Sequence, residues 1–142
     1  MTIEYLSAEQ STAFCNKVFV YGTLRKNQGN YLGTGLSKYP HIGTEEAYLP
    51  FQMCDLGPFP ALVRDDVTHP IVGDVFQVDA DMMNRLDILE GYPQMYDRMI
   101  VTLGQTDSHP PIHAWVYYMR DRPSDNIIDN GDWLFPSYRE VA

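Results

Sequence analysis

The stretch "IHAWVYYMR", residues 112–120, sets the tightest constraint on what this chain can fold into. Ile112, Ala114, Val116 and Tyr118 alternate with His113, Trp115, Tyr117 and Met119. Successive side chains of a strand point to opposite faces, so both faces of this strand are largely apolar. Only burial on both sides keeps such a segment from water. The fold must therefore supply a barrel wall or a sheet covered by a second layer.

Most of the remaining chain also reads as strands. "KVFVYGTL" (17–24) is β-branched and aromatic and runs into a glycine. "HIGTEEAYLPFQMCDL" (41–56) holds one or two strands interrupted by Pro50. "FPALV" (59–63), "IVGDVFQV" (71–78) and "DRMIVTLG" (97–104) are further strands. "QGNYLGTGLS" (28–37) is glycine-rich and loop-like, with at most a short helical turn. One segment is clearly helical: "DADMMNRLDILEG", residues 79–91. Asp79 or Asp81 caps its start, and Gly91 followed by Pro93 ends it. The expected fold is thus α+β, a mixed β-barrel-like sheet with few helices. With 142 residues the chain has the length of one domain. Residues 1–16 are expected to form an N-terminal extension, partly helical over "SAEQSTAF", with a single domain over 17–142.

Charge and cysteine usage narrow the partners. A net charge of −9 with only 10 Lys+Arg, and no basic stripe, argues against binding nucleic acid. No apolar run approaches the ~20 residues of a membrane span, and "MTIEYLSAEQ" lacks the features of a secretory signal. Cys15 and Cys54 have no metal or redox spacing and read as free thiols in a reducing cytoplasm. His109 and His113 are four apart, but Pro110 and Pro111 between them break the helix a metal-binding pair would need. No metal site is expected. Nor is there a nucleophile elbow, phosphate loop or dinucleotide fingerprint.

Two short stretches carry candidate chemistry. In the helix, about 100° per position places Leu86, Met82 and Leu89 on one apolar stripe with Met83. Glu90 falls inside that stripe, whereas Asp81, Asn84, Arg85 and Asp87 fall outside, on a solvated face. A carboxylate in the last turn meets the negative end of the helix dipole, and on the core side it is also desolvated. Both effects raise its pKa, which suits general acid–base chemistry near neutral pH. The other reading is a side chain that frays outward. In "VFVYGTLR", the turn at Tyr21-Gly22-Thr23-Leu24 presents consecutive backbone N–H groups, and Gly22 lacks the Cβ that would block a ligand. Such donors make an anion or oxyanion site. The other reading is a plain strand-to-loop turn. Arg25 and Arg98 are candidate partners for a substrate carboxylate or, equally, structural cations.

Together "VFVYGTLR", "NQGN", "GPFPALV", "IVGDVFQV" and "LDILEGYPQMYDR" occur in an order that resembles the gamma-glutamyl cyclotransferase-like family, over roughly residues 17–135. The similarity is greatest to gamma-glutamylamine cyclotransferase-type and small bacterial single-domain members, and "GDWL" (131–134) is similar to the bacterial branch. The resemblance implies a small domain with its cavity between the first-strand loop and the helix end. It implies conversion of a small-molecule gamma-glutamyl substrate to 5-oxoproline with release of an amine or amino acid. On that resemblance Glu90 matches the catalytic glutamate, Tyr21, Gly22, Thr23 and Leu24 match the substrate-binding loop, and Tyr96 matches a pocket-side tyrosine. The reaction is intramolecular, so no cofactor is expected. An alternative within the same fold is a non-catalytic member that binds a small ligand or a protein. Neither the leaving group nor the oligomeric state follows from the sequence.

Overall fold

The computed structural model describes residues 5–104 and 110–139. Its strands are β1 (Lys17–Val20), β2 (His41–Asp55), β3 (Pro60–Gln77), β4 (Asp97–Leu103), β5 (Ile112–Tyr118) and β6 (Ile127–Ile128). They form one sheet in the order β4-β5-β1-β3-β2-β6. The β1–β5 pair is parallel, joined at Val18 and Trp115, and the other neighbours are antiparallel. The helices are α1 (Ala8–Phe14), α2 (Gly29–Gly33) and α3 (Ala80–Glu90), with a 3-10 turn at Leu36–Lys38. The α+β class with few helices is as expected. The sheet, however, is open. A lone bridge between Val63 and Met119 brings the end of β5 to the start of β3, while β4 and β6 remain edges. "Barrel-like" therefore describes its curvature only loosely.

The doubly apolar strand lies where its sequence demands. In β5, residues 114–117 are all buried. Ala114 and Val116 join Phe19, Phe51, Leu62, Ile71 and Val75 on one face of the sheet. Trp115 and Tyr117 join Val18, Val20, Phe76, Met82, Met83 and Leu86 on the other, beneath α3. Strand β1 divides in the same way, Phe19 and Tyr21 to one core, Val18 and Val20 to the other. It ends at Val20 rather than 24, and the chain then turns, with the Arg25 N–H donating to the Gly22 carbonyl (3.0 Å).

Segments expected as separate strands are joined. Residues 41–56 and the pair 59–63 and 71–78 form one long hairpin, β2 with β3. The irregularity falls where proline predicts it. Pairing jumps from Leu49–His69 to Phe51–Arg64, with Pro50 in the gap; a residue without an N–H cannot hold the ladder. The loop 28–37 contains more helix than expected, α2 plus the 3-10 turn.

Helix α3 has the expected limits. The Asp79 side chain accepts from the Met82 N–H (2.9 Å), and Gly91 ends the helix at φ 66°. That left-handed conformation is the one glycine adopts without cost. Helix α1, in the extension, has a reciprocal cap between Ser7 and Gln10 and packs on α3. Residues 1–4 of that extension, and His109 of the histidine pair, lie outside the described residues. Cys15 and Cys54 are free thiols. No described helix is long and apolar enough to cross a membrane.

Candidate active site

Glu90 occupies the last turn of α3 and lines a cavity of about 410 Å³. Tyr21, Gly22, Thr23, Leu24 and Tyr96 line the same cavity. Residues 21–24 arrive on the turn after β1, and Tyr96 on the segment between α3 and β4. All six residues matched on the resemblance thus line one cavity.

The electrostatics centre on Glu90. Its side chain is half-buried, and among the described residues nothing donates a hydrogen bond to its carboxylate. Burial pushes its pKa up from an ordinary value of 4.5 to about 7. Three tyrosines surround it, and each spends its hydroxyl elsewhere. Tyr21 donates to the Tyr117 carbonyl (2.8 Å), Tyr96 to the Pro60 carbonyl (3.3 Å) and Tyr117 to Asp87 Oδ1 (2.6 Å). Burial raises all three phenol pKa values, with Glu90 adding to each. They therefore stay protonated at neutral pH and keep these bonds. The result is a carboxylate walled by aromatic rings and, among the described residues, supplied with no donor.

Opposite lies the turn. The N–H groups of Gly22, Thr23 and Leu24 have no acceptor among the described residues. Thr23 Oγ1 accepts from Asn30 Nδ2 (2.7 Å), which leaves its own proton to give. Gly22 also has a packing role. A Cβ there would meet the Pro60 ring at 2.8 and 2.9 Å. The glycine lets the turn lie against the start of β3, at a ring that lines the same cavity.

The arginines are structural. Arg25 is buried and donates to Asp74 (3.4 Å) and Asp132 (3.0 Å), the latter from the "GDWL" stretch. Arg98 Nε donates to Asp87 Oδ1 (2.9 Å) and Nη2 to Asp87 Oδ2 (3.1 Å). Its guanidinium also lies over the rings of Tyr92 (4.0 Å) and Trp115 (4.7 Å). Neither lines the cavity. Asp87, expected on the solvated face of α3, is therefore buried in an ion pair, and Leu89, expected on the apolar stripe, is 42% exposed at the cavity rim.

Sequence reasoning missed Tyr117, Asn30, Pro60 and the Phe59–Leu89–Met95 rim. The alternation in β5 put Tyr117 on the face it shares with Trp115, but nothing local tied it to Asp87. Among the described residues no group of three His, Cys, Asp or Glu side chains could hold a metal ion.

Residues 18–135 match the family model described as "Gamma-glutamyl cyclotransferase, AIG2-like". The chain belongs to that family. A Vibrio cholerae protein provisionally named gamma-glutamylcyclotransferase is 36% identical, over 82% of this chain and 93% of its own. The gamma-glutamylcyclotransferase family protein YtfP of Escherichia coli K12 is 31% identical, over 83% and 96%. The solution structure of E. coli YtfP superposes with a TM-score of 0.60 at 30% identity, again covering 83% and 96%. The crystal structure of an AIG2-like protein from Mus musculus has a TM-score of 0.60 at 24% identity, covering 89% and 87%, and shares the fold.

Proposed function

We propose that this chain is a gamma-glutamyl cyclotransferase in which Glu90 is the general acid and base. The observation that carries the proposal is a half-buried carboxylate with a pKa near 7 in a cavity also lined by the turn at Gly22–Leu24, with neither the carboxylate nor the N–H groups of that turn bonded among the described residues. Family membership supports the same reading. So does the placement of a carboxylate where both burial and the helix dipole oppose it, since a pure binding cavity has no use for one.

The chemistry proceeds within the substrate. Glu90 removes a proton from the α-ammonium, and the freed nitrogen attacks the γ-carbonyl carbon. A C–N bond forms and the carbonyl electron pair moves to oxygen. The N–H groups at Gly22–Leu24 supply donors for that oxyanion. Glu90, now protonated, gives its proton to the departing nitrogen as the old C–N bond breaks. A second proton leaves the ring nitrogen and charges the released amine. The products are 5-oxoproline and the free amine, with no water consumed. The cavity's main contribution is to hold the chain folded for five-membered ring closure. Tyr21, Tyr96 and Tyr117 form fixed walls, because their hydroxyls are tied to the protein.

The test is release of 5-oxoproline from a panel of gamma-glutamyl compounds, by wild type and by Glu90→Gln. Wild type should turn over at least one, with a rate that rises as pH passes through about 7. Glu90→Gln should lose roughly 10² or more in kcat while remaining folded. A folded Glu90→Gln protein with undiminished turnover would remove Glu90 from the mechanism. Failure of wild type across the panel, with ligand still bound, would favour the non-catalytic member of the fold.

A further inference from the structure

The connection from α3 to β4, residues 91–96, is a wall of the cavity that lies outside every helix and strand. It follows Glu90 directly and contributes Met95 and Tyr96 to the lining, while Gln94 and Met95 are exposed. From the inside it is held by Tyr96, which is buried and donates to the Pro60 carbonyl (3.3 Å). A segment with few buried contacts opens more readily than the elements it joins.

A second hold comes from outside, from Tyr5 and Leu6, just ahead of α1. The Leu6 carbonyl accepts from the Tyr92 hydroxyl (3.2 Å) and from Arg98 Nη2 (3.2 Å). The Tyr5 ring meets that of Tyr92 edge to face, with centroids 5.9 Å apart. Arg120 completes the hold. Its Nη2 donates to the Tyr5 hydroxyl (2.7 Å) and to Asp97 (2.8 Å), and its Nη1 to the Pro93 carbonyl (3.3 Å). Tyr5 and Leu6 thus grip the segment at Tyr92 and, by way of Arg120, at Pro93. Through Arg98 and Asp87 the same hold reaches α3 one turn before Glu90. Both residues lie before the stretch 18–135 that matches the family, so this hold is outside the matched domain.

We infer that Tyr5 is a positioning residue for the candidate active site: with Leu6 it hooks the 91–96 segment and keeps Met95 and Tyr96 closed beside Glu90. The effect of that wall falls on water. Glu90 is faced by Tyr21 from the turn after β1, by Tyr96 from the segment itself and by Tyr117 from β5, all protonated at neutral pH. Among the described residues no other charged side chain lines the cavity, and Asp87, one turn back, is paired with Arg98. Burial is what lifts the Glu90 pKa to about 7. A wall that swings outward admits water and lowers it, and ligand placement suffers as well. The inference rests on the cyclotransferase reading for turnover, but not for the titration of Glu90.

Tyr5→Ala tests it in the full chain, with the Glu90 carboxyl titrated by NMR and assigned by its loss in Glu90→Gln. The midpoint should drop from about 7 toward 4.5, by roughly half a pH unit or more. For whichever gamma-glutamyl compound wild type cleaves, kcat/KM should fall roughly 10-fold, and the rise in its pH profile should move to lower pH with the midpoint. Phe14→Ala, which removes an 80% exposed ring at the far end of α1, should change neither. An unmoved midpoint in Tyr5→Ala overturns the inference. So does an equal displacement in Phe14→Ala, which marks a general loosening of the extension. A displaced midpoint with kcat/KM undiminished at every pH overturns the positioning role. Should Tyr5→Ala fail to fold, Tyr92→Phe decides, because it removes only the bond to Leu6. It should displace the midpoint in the same direction, and no displacement overturns the inference. Where wild type cleaves nothing in the panel, the cyclotransferase reading falls and the titration alone decides.

Discussion

Glu90 shows how one residue can be set against the stability of its own fold. An ordinary carboxyl titrates near 4.5, and burial moves this one to about 7. Between those values the unfolded chain is ionised at this position while the folded chain holds the proton. The folded state binds more protons there, so stability falls as pH rises through the window. The proposed base, by contrast, must be ionised, so activity rises over the same window. Glu90→Gln should abolish the stability slope: its melting temperature should match wild type near pH 5 and exceed it near pH 8. Thermal melts at the two values check this, and a deficit at both would mark Glu90 as a structural group. The sequence showed the side of the helix on which Glu90 lies, because local periodicity decides that. It could not show that three tyrosine hydroxyls pass Glu90 by, because their acceptors lie on other elements. The packing of Gly22 against Pro60 was hidden for the same reason, since Pro60 is its neighbour in space only.

At the scale of elements, α3 is held to the sheet by a charged clasp. Asp87, one turn before Glu90, takes both bonds from Arg98 on β4 and a third from Tyr117 on β5. Arg98 also donates to the Leu6 carbonyl (3.2 Å), and Trp115 Nε1 to the Cys15 carbonyl (2.9 Å), so the N-terminal segment is fastened over the same spot. Arg98→Met keeps an apolar stem between Tyr92 and Trp115 but strands the Asp87 carboxylate. Loss of about 3–5 kcal/mol in denaturant unfolding is expected, and Arg98→Met with Asp87→Leu should recover much of it, because the buried charge is then gone. A double variant no more stable than Arg98→Met would show that the guanidinium matters through its ring contacts instead. Helix limits were legible because caps are local: Asp79 and Gly91 sit where the sequence puts them. Strand continuity was not, because β2 and β3 hold each other on both sides of the break at Pro50 and residues 65–68, which neither segment announces.

At the scale of the molecule, two cores flank a sheet whose middle is β5-β1-β3 and whose far edge is the two-residue β6. Backbone amides of Val18–Val20 and residues 114–117 should exchange at least about 10²-fold more slowly than those of Ile127 and Ile128, because only global opening frees the central strands. Uniform protection, measured by NMR or mass spectrometry, would contradict this arrangement. The strand that most constrained the fold in sequence, β5, is indeed at its centre, but openness of the sheet depended on edges that no pattern of apolar residues encodes. That central position also governs the order of events at the ribosome. The hydroxyl of Tyr21 closes on Tyr117, 96 residues further along. At about 5–20 residues per second, β1 and its turn wait on the order of 10 s for that partner to be synthesised. Until then Val18, Phe19 and Val20 lack one of their two flanking strands, and the cavity lacks a wall. The nascent chain is thus most exposed to aggregation early, and the site is among the last features of the molecule to come into being.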